Sequence, residues 1–259
     1  MKYFIDVQGT IIDDHDRKPI AGAVEFVRNL KNTNVSFALI TNNTKFQSDE
    51  FMSYLRGLGF EFDDNQYLDP FSTLHDIVGQ NKIWAIGNDG FVESLKVAGY
   101  IFDKGSPEFL VISLKENLAY DDLADAVEMI QAGAKLIGMH ETSIYAKNGR
   151  KYPGLGAILR SLEYATNTKA IVVGKPSVDF YTEAKKLVGA DSFDEICIIS
   201  DDAIGDLVGA KKLGMKTVLV LSGKHKKADE IIPFLSEGLR PCEVYDSIAD
   251  IDFVKVDKC

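Results

Sequence analysis

Short apolar segments alternate with longer segments of mixed polarity along the whole chain. Because the apolar runs are continuous rather than alternating with polar residues, they indicate strands that are covered on both faces, as in a parallel sheet flanked by helices. Seven runs have this character: KYFIDV (2–7), VSFALI (35–40), KIWAIG (82–87), FLVISL (109–114), KAIVVG (169–174), EICIIS (195–200) and KTVLVL (216–221).

The segments between these runs carry apolar residues at helical spacing, and several end in Gly, Asn or Thr, which commonly follow a helix. They are GAVEFVRNLKN (22–32), DEFMSYLRGLG (49–59), YDDLADAVEMIQAG (120–133), GLGAILRSLEYAT (154–166) and VDFYTEAKKLVG (178–189). Strands that alternate with helices predict an α/β fold with a parallel sheet flanked by helices. GNDG (87–90) indicates a turn, and the charge run GKHKKADE (223–230) indicates a solvated helix start.

Composition narrows the class of protein. The chain has 259 residues, of which 46% are hydrophobic and 26% charged, typical of one large globular domain or two modest ones. A net charge of -10 argues against a nucleic-acid partner but not against a small phosphorylated metabolite. No apolar run is long enough to span a bilayer, and the start lacks the features of a signal peptide.

The three cysteines bear on the compartment. Cys197, Cys242 and Cys259 are odd in number and widely spaced, which predicts neither a disulfide framework nor a zinc site. Cys197 lies in an apolar run and is expected to be a small buried core residue. A cytoplasmic location fits this pattern best.

Polar residues follow four of the predicted strands, at the carboxyl ends where open α/β sheets bind their ligands. The candidates are Asp6; Thr41, Asn42 and Asn43; Lys175; and Asp201, Asp202 and Asp206. Singly, each has a structural alternative, because an Asp after a strand commonly makes a turn or caps a helix. Four such positions in one chain favour a shared site.

Together these residues suit phosphoryl transfer. A carboxylate at a strand end, Asp6, can attack a phosphoryl group and carry it as an acyl phosphate. Further carboxylates nearby require a cation, and hard oxygen ligands suit Mg²⁺. Thr41 offers a donor for phosphate oxygens, and Lys175 offers a positive charge for the transition state.

These motifs resemble those of the haloacid dehalogenase (HAD) superfamily of phosphatases, and most closely its NagD-like subgroup (subfamily IIA), which includes p-nitrophenylphosphatase-like proteins. The matching segments are DVQGT (6–10), ITNNT (40–44), VGKPS (173–177), SDDAIGD (200–206) and YPGLGAIL (152–159). The resemblance implies a Rossmann-like core of residues 1–74 and 172–259, with an inserted α/β cap of the C2 type at 75–171. It also implies a homodimer that pairs through the cap.

The resemblance further implies a Mg²⁺-dependent phosphatase or phosphotransferase that acts on small organic phosphate monoesters. In that family pattern Asp6 is the nucleophile, and Gln8 and Lys175 are the other catalytic positions. The phosphate-binding residues would be Thr41, Asn42, Asn43 and Lys175. The metal-binding residues would be Asp6, Gln8 through its main chain, Asp201, Asp202 and Asp206.

Gln8 departs from the family, which has an Asp that serves as general acid and base at this position. An amide cannot shuttle a proton, and losing such a group typically costs about 10²–10⁴-fold in rate. Two interpretations stay open: a slow phosphatase, or a catalytically impaired protein that binds a phosphorylated metabolite without turnover. A receiver-like domain fits less well, because the acidic cluster comes last and the chain is far longer than one such domain.

Three other positions differ from relatives in the resembled family. Ser200 stands where Gly is usual, Lys115 where an Asp is frequent, and His140 where an Asn-x-Asp loop is common. Cap loops line the substrate side in that family, so Lys115 and His140 make the substrates of relatives an unsafe guide. His140 could replace the missing acid, although a solvent-facing loop histidine is the favoured interpretation.

Overall fold

The computed structural model describes residues 1–147 and 150–254 of the chain. Within these residues there are a six-stranded parallel sheet, a five-stranded parallel sheet and a two-stranded antiparallel hairpin. The strands are β1 (Lys2–Asp6), β2 (Phe37–Ile40), β3 (Tyr67–Leu68), β4 (Lys82–Ile86), β5 (Ile101–Phe102), β6 (Phe109–Ile112), β7 (Lys135–Gly138), β8 (Ile144–Lys147), β9 (Arg150–Pro153), β10 (Ile171–Val172), β11 (Ile196–Ser200), β12 (Lys216–Val220) and β13 (Glu243–Tyr245).

The helices of the described residues lie mostly between consecutive strands. They are α1 (Ala23–Asn32), α2 (Ser48–Gly57), α3 (Pro70–Val78), α4 (Asp89–Val97), α5 (Tyr120–Gln131), α6 (Leu155–Thr166), α7 (Val178–Leu187) and α8 (Val208–Lys212), with a π-helical turn at Ala203–Leu207 before α8. The alternation confirms the predicted α/β class. None of the helices described is long and apolar enough to cross a membrane.

The chain divides into two units. The first comprises Met1–Thr41, Asp49–Leu68 and Tyr181–Cys259, and it contains the six-stranded sheet. The second comprises Asn42–Ser48 and Asp69–Phe180, and it contains the five-stranded sheet and the hairpin. The boundaries drawn from the sequence, after residues 74 and 171, stay predictions.

The six-stranded sheet of the first unit has the order β13-β12-β11-β1-β2-β3, with every neighbouring pair parallel. Tyr3 of β1 stands opposite Cys197 on one side and Phe37 on the other. The residues of β1 between its ends are almost completely buried, which accounts for its uninterrupted apolar run. Burial of each large apolar side chain stabilises the fold by about 1.5–3 kcal/mol. All six strands point their carboxyl ends toward one edge, as parallel pairing requires.

The five-stranded sheet of the second unit has the order β10-β7-β6-β4-β5, again with parallel pairs. Its core is built by fully buried side chains from the strands and the surrounding helices, among them Ile83, Phe91, Leu110, Ile137 and Leu159. The apolar run KAIVVG forms only the short strand β10, which pairs with β7 and so belongs to this sheet. The sheet that this strand joins could not be predicted, because pairing partners are not encoded in an apolar run.

Several elements of the structure were not predicted from the pattern. They are β3, β5, β7, β13, the hairpin, α3, α4 and α8. GNDG is more than a turn, because the Asn88 side chain accepts a hydrogen bond from the Phe91 N–H at 2.8 Å and caps α4. Asp69 caps α3 in the same way, through the N–H groups of Phe71 and Ser72.

Two of the cysteines lie in the described residues. Cys197 is buried in β11 and keeps its thiol, as expected of a small core residue. Cys242 is disulfide-bonded. One such bond is not the disulfide framework against which the wide, odd spacing argues. Cys259 lies outside the described residues.

Candidate active site

The end of β1 delivers the first candidate residue. Asp6 is the last residue of the strand and is 5% exposed. The chain then turns tightly at Gly9, whose φ of 77° is a left-handed conformation that glycine adopts without steric cost. A Cβ at Gly9 would lie 2.3 Å from Oδ2 of Asp201, so this close approach also requires glycine. Gly9 therefore lets the DVQGT segment approach Asp201 closely.

The hydroxyl of Thr10 joins the two motifs directly. It donates a hydrogen bond to Oδ2 of Asp6 at 3.1 Å and accepts one from the N–H of Asp201 at 3.0 Å. Thr10 is fully buried, so both bonds are shielded from water. Sequence reasoning did not single out Thr10 as a site residue, although it belongs to the DVQGT segment.

Asp201 is held on several sides. Its side chain is buried, and its Oδ2 accepts a hydrogen bond from the N–H of Lys224 at 2.7 Å. A Cβ at Gly223 would lie 1.9 Å from the same oxygen, so the loop after β12 can pack here only with glycine. Burial first, and then the negative charge of Asp6, raise the pKa of the Asp201 carboxyl well above its ordinary value. Two buried carboxylates thus share this edge of the sheet.

Asp202 and Asp206 have different surroundings. Oδ1 of Asp202 accepts a hydrogen bond from the N–H of Gly205 at 2.8 Å and so caps the π-helical turn, while its Oδ2 is paired with the ammonium of Lys224. Oδ2 of Asp206 accepts a hydrogen bond from the hydroxyl of Ser200 at 2.7 Å. The same hydroxyl accepts from the N–H of Asp202 at 3.0 Å. Ser200, where the resembled family has Gly, therefore links both aspartates.

Gln8 and Thr41 form a direct pair. The hydroxyl of Thr41 donates to Oε1 of Gln8 at 2.6 Å, and the N–H of Thr41 donates to the carbonyl of Leu68 at 3.1 Å. Thr41 is completely buried and Gln8 is partly buried. The single proton of the Thr41 hydroxyl is thus given to the glutamine that replaces the acid.

Lys175, Asn42 and Asn43 belong to the second unit. The N–H of Lys175 donates to Oδ1 of Asn42 at 2.8 Å, and Nδ2 of Asn42 donates to the Lys175 carbonyl at 3.1 Å. A Cβ at Gly174 would lie 2.6 Å from Oδ1 of Asn42, which explains the glycine before the lysine. Asn43 bonds the backbone of Phe46 and of Lys45. Both asparagines therefore shape the backbone of their own loops.

The cap-loop candidates also lie in the second unit. Lys115 forms an ion pair with Asp122 at 2.7 Å. Nδ1 of His140 accepts a hydrogen bond from the N–H of Thr142 at 3.4 Å, and the residue is partly buried. Glu141, the next residue, is paired with Arg160 at 2.5 Å.

The donor set of the first unit bears on the choice of metal. Among residues 1–147 and 150–254, no cluster of three or more His, Cys, Asp or Glu side chains is placed to hold a metal ion. Asp6 and Asp201 nevertheless provide two buried carboxylates, and Thr10 bonds the carboxylate of Asp6 and the main-chain N–H of Asp201. Mg²⁺ is commonly bound by one or two carboxylates together with waters and substrate phosphate oxygens. The set fits that kind of magnesium site and does not fit zinc.

Two family models match the chain. A haloacid dehalogenase-like hydrolase model matches residues 3–101, and a HAD-hydrolase-like model matches residues 172–251. The chain is 31% identical over 230 residues to haloacid dehalogenase-like hydrolase domain-containing protein 2 of Bos taurus, covering 87% of this chain and 86% of that protein. It is 27% identical over 256 residues to the dihydroxyacetone phosphatase of Corynebacterium glutamicum (strain R), covering 97% and 90% respectively.

Solved structures give the same answer for the fold. The p-nitrophenyl phosphatase from Archaeoglobus fulgidus superposes with a TM-score of 0.82 at 26% identity, over 96% of this chain and 97% of that one. NagD from E. coli K-12 superposes with a TM-score of 0.77 at 23% identity, over 97% and 98%. These likenesses confirm the Rossmann-like α/β architecture that the sequence predicts.

Proposed function

The chain belongs to the haloacid dehalogenase-like hydrolase family and is a phosphatase of its NagD-like branch, and from that premise we propose that it hydrolyses small organic phosphate monoesters through an aspartyl phosphate on Asp6, with Mg²⁺ as cofactor. The observation that carries this proposal is the Thr10 hydroxyl, which bonds both the Asp6 carboxylate and the backbone of Asp201. It joins the proposed nucleophile at the end of β1 to the backbone of Asp201, whose side chain is a second buried carboxylate.

The proposed reaction has two steps. An oxygen of the Asp6 carboxylate attacks phosphorus, the bond from phosphorus to the ester oxygen breaks, and that oxygen takes a proton from water and leaves as the alcohol. Water then attacks phosphorus and gives up a proton to the solvent, the bond from phosphorus to the Asp6 oxygen breaks, and inorganic phosphate and the free carboxylate result. Thr10 keeps the Asp6 side chain in one orientation through both steps.

The residues proposed to hold the cation are Asp6, Asp201 and the main-chain oxygen of Gln8. Mg²⁺ at this position would offset the negative charge of the carboxylates and of the phosphoryl group. Asp202 and Asp206 support this set from outside, through Lys224 and Ser200 respectively.

Thr41 and Lys175 are proposed to hold the phosphoryl oxygens, Lys175 through its positive charge. The Thr41 hydroxyl has one proton, which it donates to Oε1 of Gln8. Its use on a phosphoryl oxygen therefore requires exchange of the Gln8 bond, and the net worth of such a bond is about 1 kcal/mol. Binding of the phosphate is thus coupled to the position of the Gln8 amide.

Gln8 sets the expected rate. Its amide can donate a hydrogen bond to the leaving oxygen, but it cannot transfer a proton, so both steps are slower by about 10²–10⁴-fold than with a carboxyl group. Esters with good leaving groups need little protonation and are the best substrates. Two of the similar proteins are named dihydroxyacetone phosphatase and p-nitrophenyl phosphatase. These names support small organic phosphates as the substrate class.

Gln8 also favours a second candidate function, a protein that binds a phosphorylated metabolite without turnover. The two functions differ in whether the wild-type chain releases phosphate at all. The cytoplasmic location and the pairing of two copies through residues 75–171 remain predictions of the sequence.

The test is phosphate release from p-nitrophenyl phosphate, with Mg²⁺ and with EDTA. We expect the wild type to be slow and Mg²⁺-dependent, and we expect Asp6→Asn to lose at least about 10³-fold in kcat. Asp16→Asn is the matched control, because Asp16 lies in the same connection after β1 with its side chain 58% exposed. An active Asp6→Asn enzyme would refute the nucleophile. A wild type that binds inorganic phosphate and releases none from the ester would support the binding function instead.

A further inference from the structure

The charge run after β12 contains one lysine whose contacts are unlike those of its neighbours. The main-chain N–H of Lys224 donates to Oδ2 of Asp201 at 2.7 Å, and its ammonium is paired with Oδ2 of Asp202. A single residue therefore holds two adjacent carboxylates, one with its backbone and the other with its side chain. Lys226, two positions on, instead directs its ammonium to the carbonyl of Ser222.

The backbone around Lys224 is fixed by the site itself. The hydroxyl of Ser222 donates to the carbonyl of Gly9 at 2.7 Å, which ties the loop to the turn after β1. Gly223 packs so closely against Asp201 that a Cβ there would overlap the carboxylate. The Lys224 N–H is thereby placed by packing and hydrogen bonding on both sides, although the Lys224 side chain is 45% exposed.

The Lys224 ammonium offsets negative charge at this site. The Thr10 hydroxyl bonds the Asp6 carboxylate and the main-chain N–H of Asp201, and Lys224 bonds the carboxylates of Asp201 and Asp202. The charge of Asp14 also acts on Asp201 and that of Asp206 on Lys224, so the site is rich in negative charge. Removal of the Lys224 ammonium would make the Mg²⁺-loaded site more negative by one charge, which opposes the binding of a phosphate ester.

We propose that Lys224 is a positioning residue that gives Asp201 and Asp202 different tasks: its N–H holds Asp201 ready for the cation, and its ammonium keeps Asp202 in an ion pair. This inference rests on the magnesium site of the proposed function. It explains why the described residues offer two carboxylates for the cation although three aspartates lie close together. Lys224 thereby weakens the binding of Mg²⁺ and strengthens the binding of phosphate by the Mg²⁺-loaded protein.

The consequence is a pair of opposite effects. Lys224→Met releases the Asp202 carboxylate and removes a positive charge, so the substrate-free protein should bind Mg²⁺ roughly three- to tenfold more tightly, the size expected for a unit charge a few ångströms away near a protein surface. In the presence of saturating Mg²⁺, the same variant should bind inorganic phosphate several-fold more weakly and show a raised KM for p-nitrophenyl phosphate. A residue with a purely structural role would weaken both.

The experiment is a calorimetric Mg²⁺ titration of the substrate-free protein, followed by an inorganic phosphate titration of the Mg²⁺-loaded protein. Lys227→Met is the matched control, because it removes the same charge from an exposed position in the same loop. Lys224→Arg keeps the ion pair and should stay within about twofold of the wild type. In an Asp202→Asn background the Lys224→Met effect should shrink, because the carboxylate that it would release is gone.

Thermal melts of the variants without Mg²⁺ establish that each is folded. The inference is overturned if Lys224→Met binds Mg²⁺ more weakly than the wild type, or within twofold of Lys227→Met. It is also overturned if neither the wild type nor Lys224→Met binds Mg²⁺. Failure of the proposed nucleophile is read separately, from phosphate release by Asp6→Asn, so the two ideas can fail independently.

Discussion

The two parallel sheets of this molecule differ in the side chains at the carboxyl ends of their strands. In the first unit, β1 ends at buried Asp6 and β11 is followed directly by buried Asp201, and burial together with the charge of Asp6 raises the pKa of Asp201. In the second unit, β4 is followed by Asn88, which caps a helix, and the loop after β6 carries Lys115, which is paired with a carboxylate.

The carboxyl edges of the two sheets differ in electrostatics rather than in architecture. The Lys115 ammonium lowers the pKa of the Asp122 carboxyl, so folding makes that carboxylate easier to ionise. Burial and a like charge do the opposite to Asp201. An arrangement that opposes ionisation persists only where other interactions maintain it, and such arrangements concentrate at functional sites. The same kind of sheet thus ends in a candidate active site in one unit and in helix caps and ion pairs in the other.

The largest contrast is expected from Asp201→Asn. Activity should fall by about 10³-fold, whereas the unfolding free energy without Mg²⁺ at pH 7 should rise by about 1–2 kcal/mol, as when a strained functional group is removed. The wild-type Asp201 has a raised pKa when folded, so its contribution to stability falls as the pH rises above the ordinary value of 3.8. The variant should lack that decline. Urea unfolding in EDTA at pH 5 and pH 8 measures the stability of the variant and its pH dependence, and phosphate release measures its activity. A variant less stable than the wild type would contradict the interpretation.

Gln8→Asp restores a proton carrier at the carboxyl edge of the first sheet. We expect kcat for p-nitrophenyl phosphate to rise by about 10²-fold or more. A carboxylate can still accept the Thr41 hydrogen bond, so the local geometry should survive the change. Gln8→Asn is the control that alters size without adding an acid. Equal rates for the wild type and Gln8→Asp would show that another group already carries the proton.

Asn88→Ala removes a polar side chain at the carboxyl edge of the second sheet. Losing the side chain that caps α4 should lower the unfolding free energy by about 1 kcal/mol. The kcat of the folded variant should stay within about twofold of the wild type. Asn88→Asp keeps the cap and should restore stability in the same chemical denaturation assay. A folded variant whose kcat falls by much more than twofold would show that the edge of the second sheet also contributes to catalysis.

Lys115→Met should have the smallest effect. The Lys115–Asp122 pair is only partly buried, and ion pairs near the surface contribute about 1 kcal/mol or less, so a correspondingly small destabilisation is expected at pH 7. The pKa of Asp122 is lowered in the folded protein, so the contribution is present above the ordinary value of 3.8 and is lost as the pH falls through the folded value. The difference between wild type and variant should therefore shrink as the pH falls below 3.8. A difference that does not change with pH would indicate packing of the lysine stem rather than charge.

Much of the fold was readable from the chain, because long apolar runs and helical periodicity reflect burial directly. Two-residue strands such as β3 and β5 carry no periodicity and could not be found. For α4 the sequence carries a capping signal, Asn88 three residues before Phe91, but the same GNDG segment is equally typical of a turn. The sheet to which β10 belongs depends on pairing with β7, and a sequence does not display its pairings.

The site was predictable where residues end strands. Asp6, Thr41 and Asp201 stand at the carboxyl edge of the first sheet, and their catalytic roles stay predictions. Thr10 and Lys224 were missed because their significance lies in the partners they contact. Nothing in a run of lysines indicates that one main-chain N–H will meet a carboxylate 23 residues away.

The central position of β1 has a consequence for how the chain is made. Its neighbour β2 follows within the first part of the chain, but its other neighbour, β11, begins only at Ile196. During synthesis the apolar edge of β1 that will receive β11 remains unpaired until most of the chain has emerged, and an unpaired apolar edge is a template for aggregation. Asp6 and Asp201 likewise come together only after β11 has been synthesised. A nascent chain would therefore be both unable to catalyse and most in need of chaperones until its last quarter arrives.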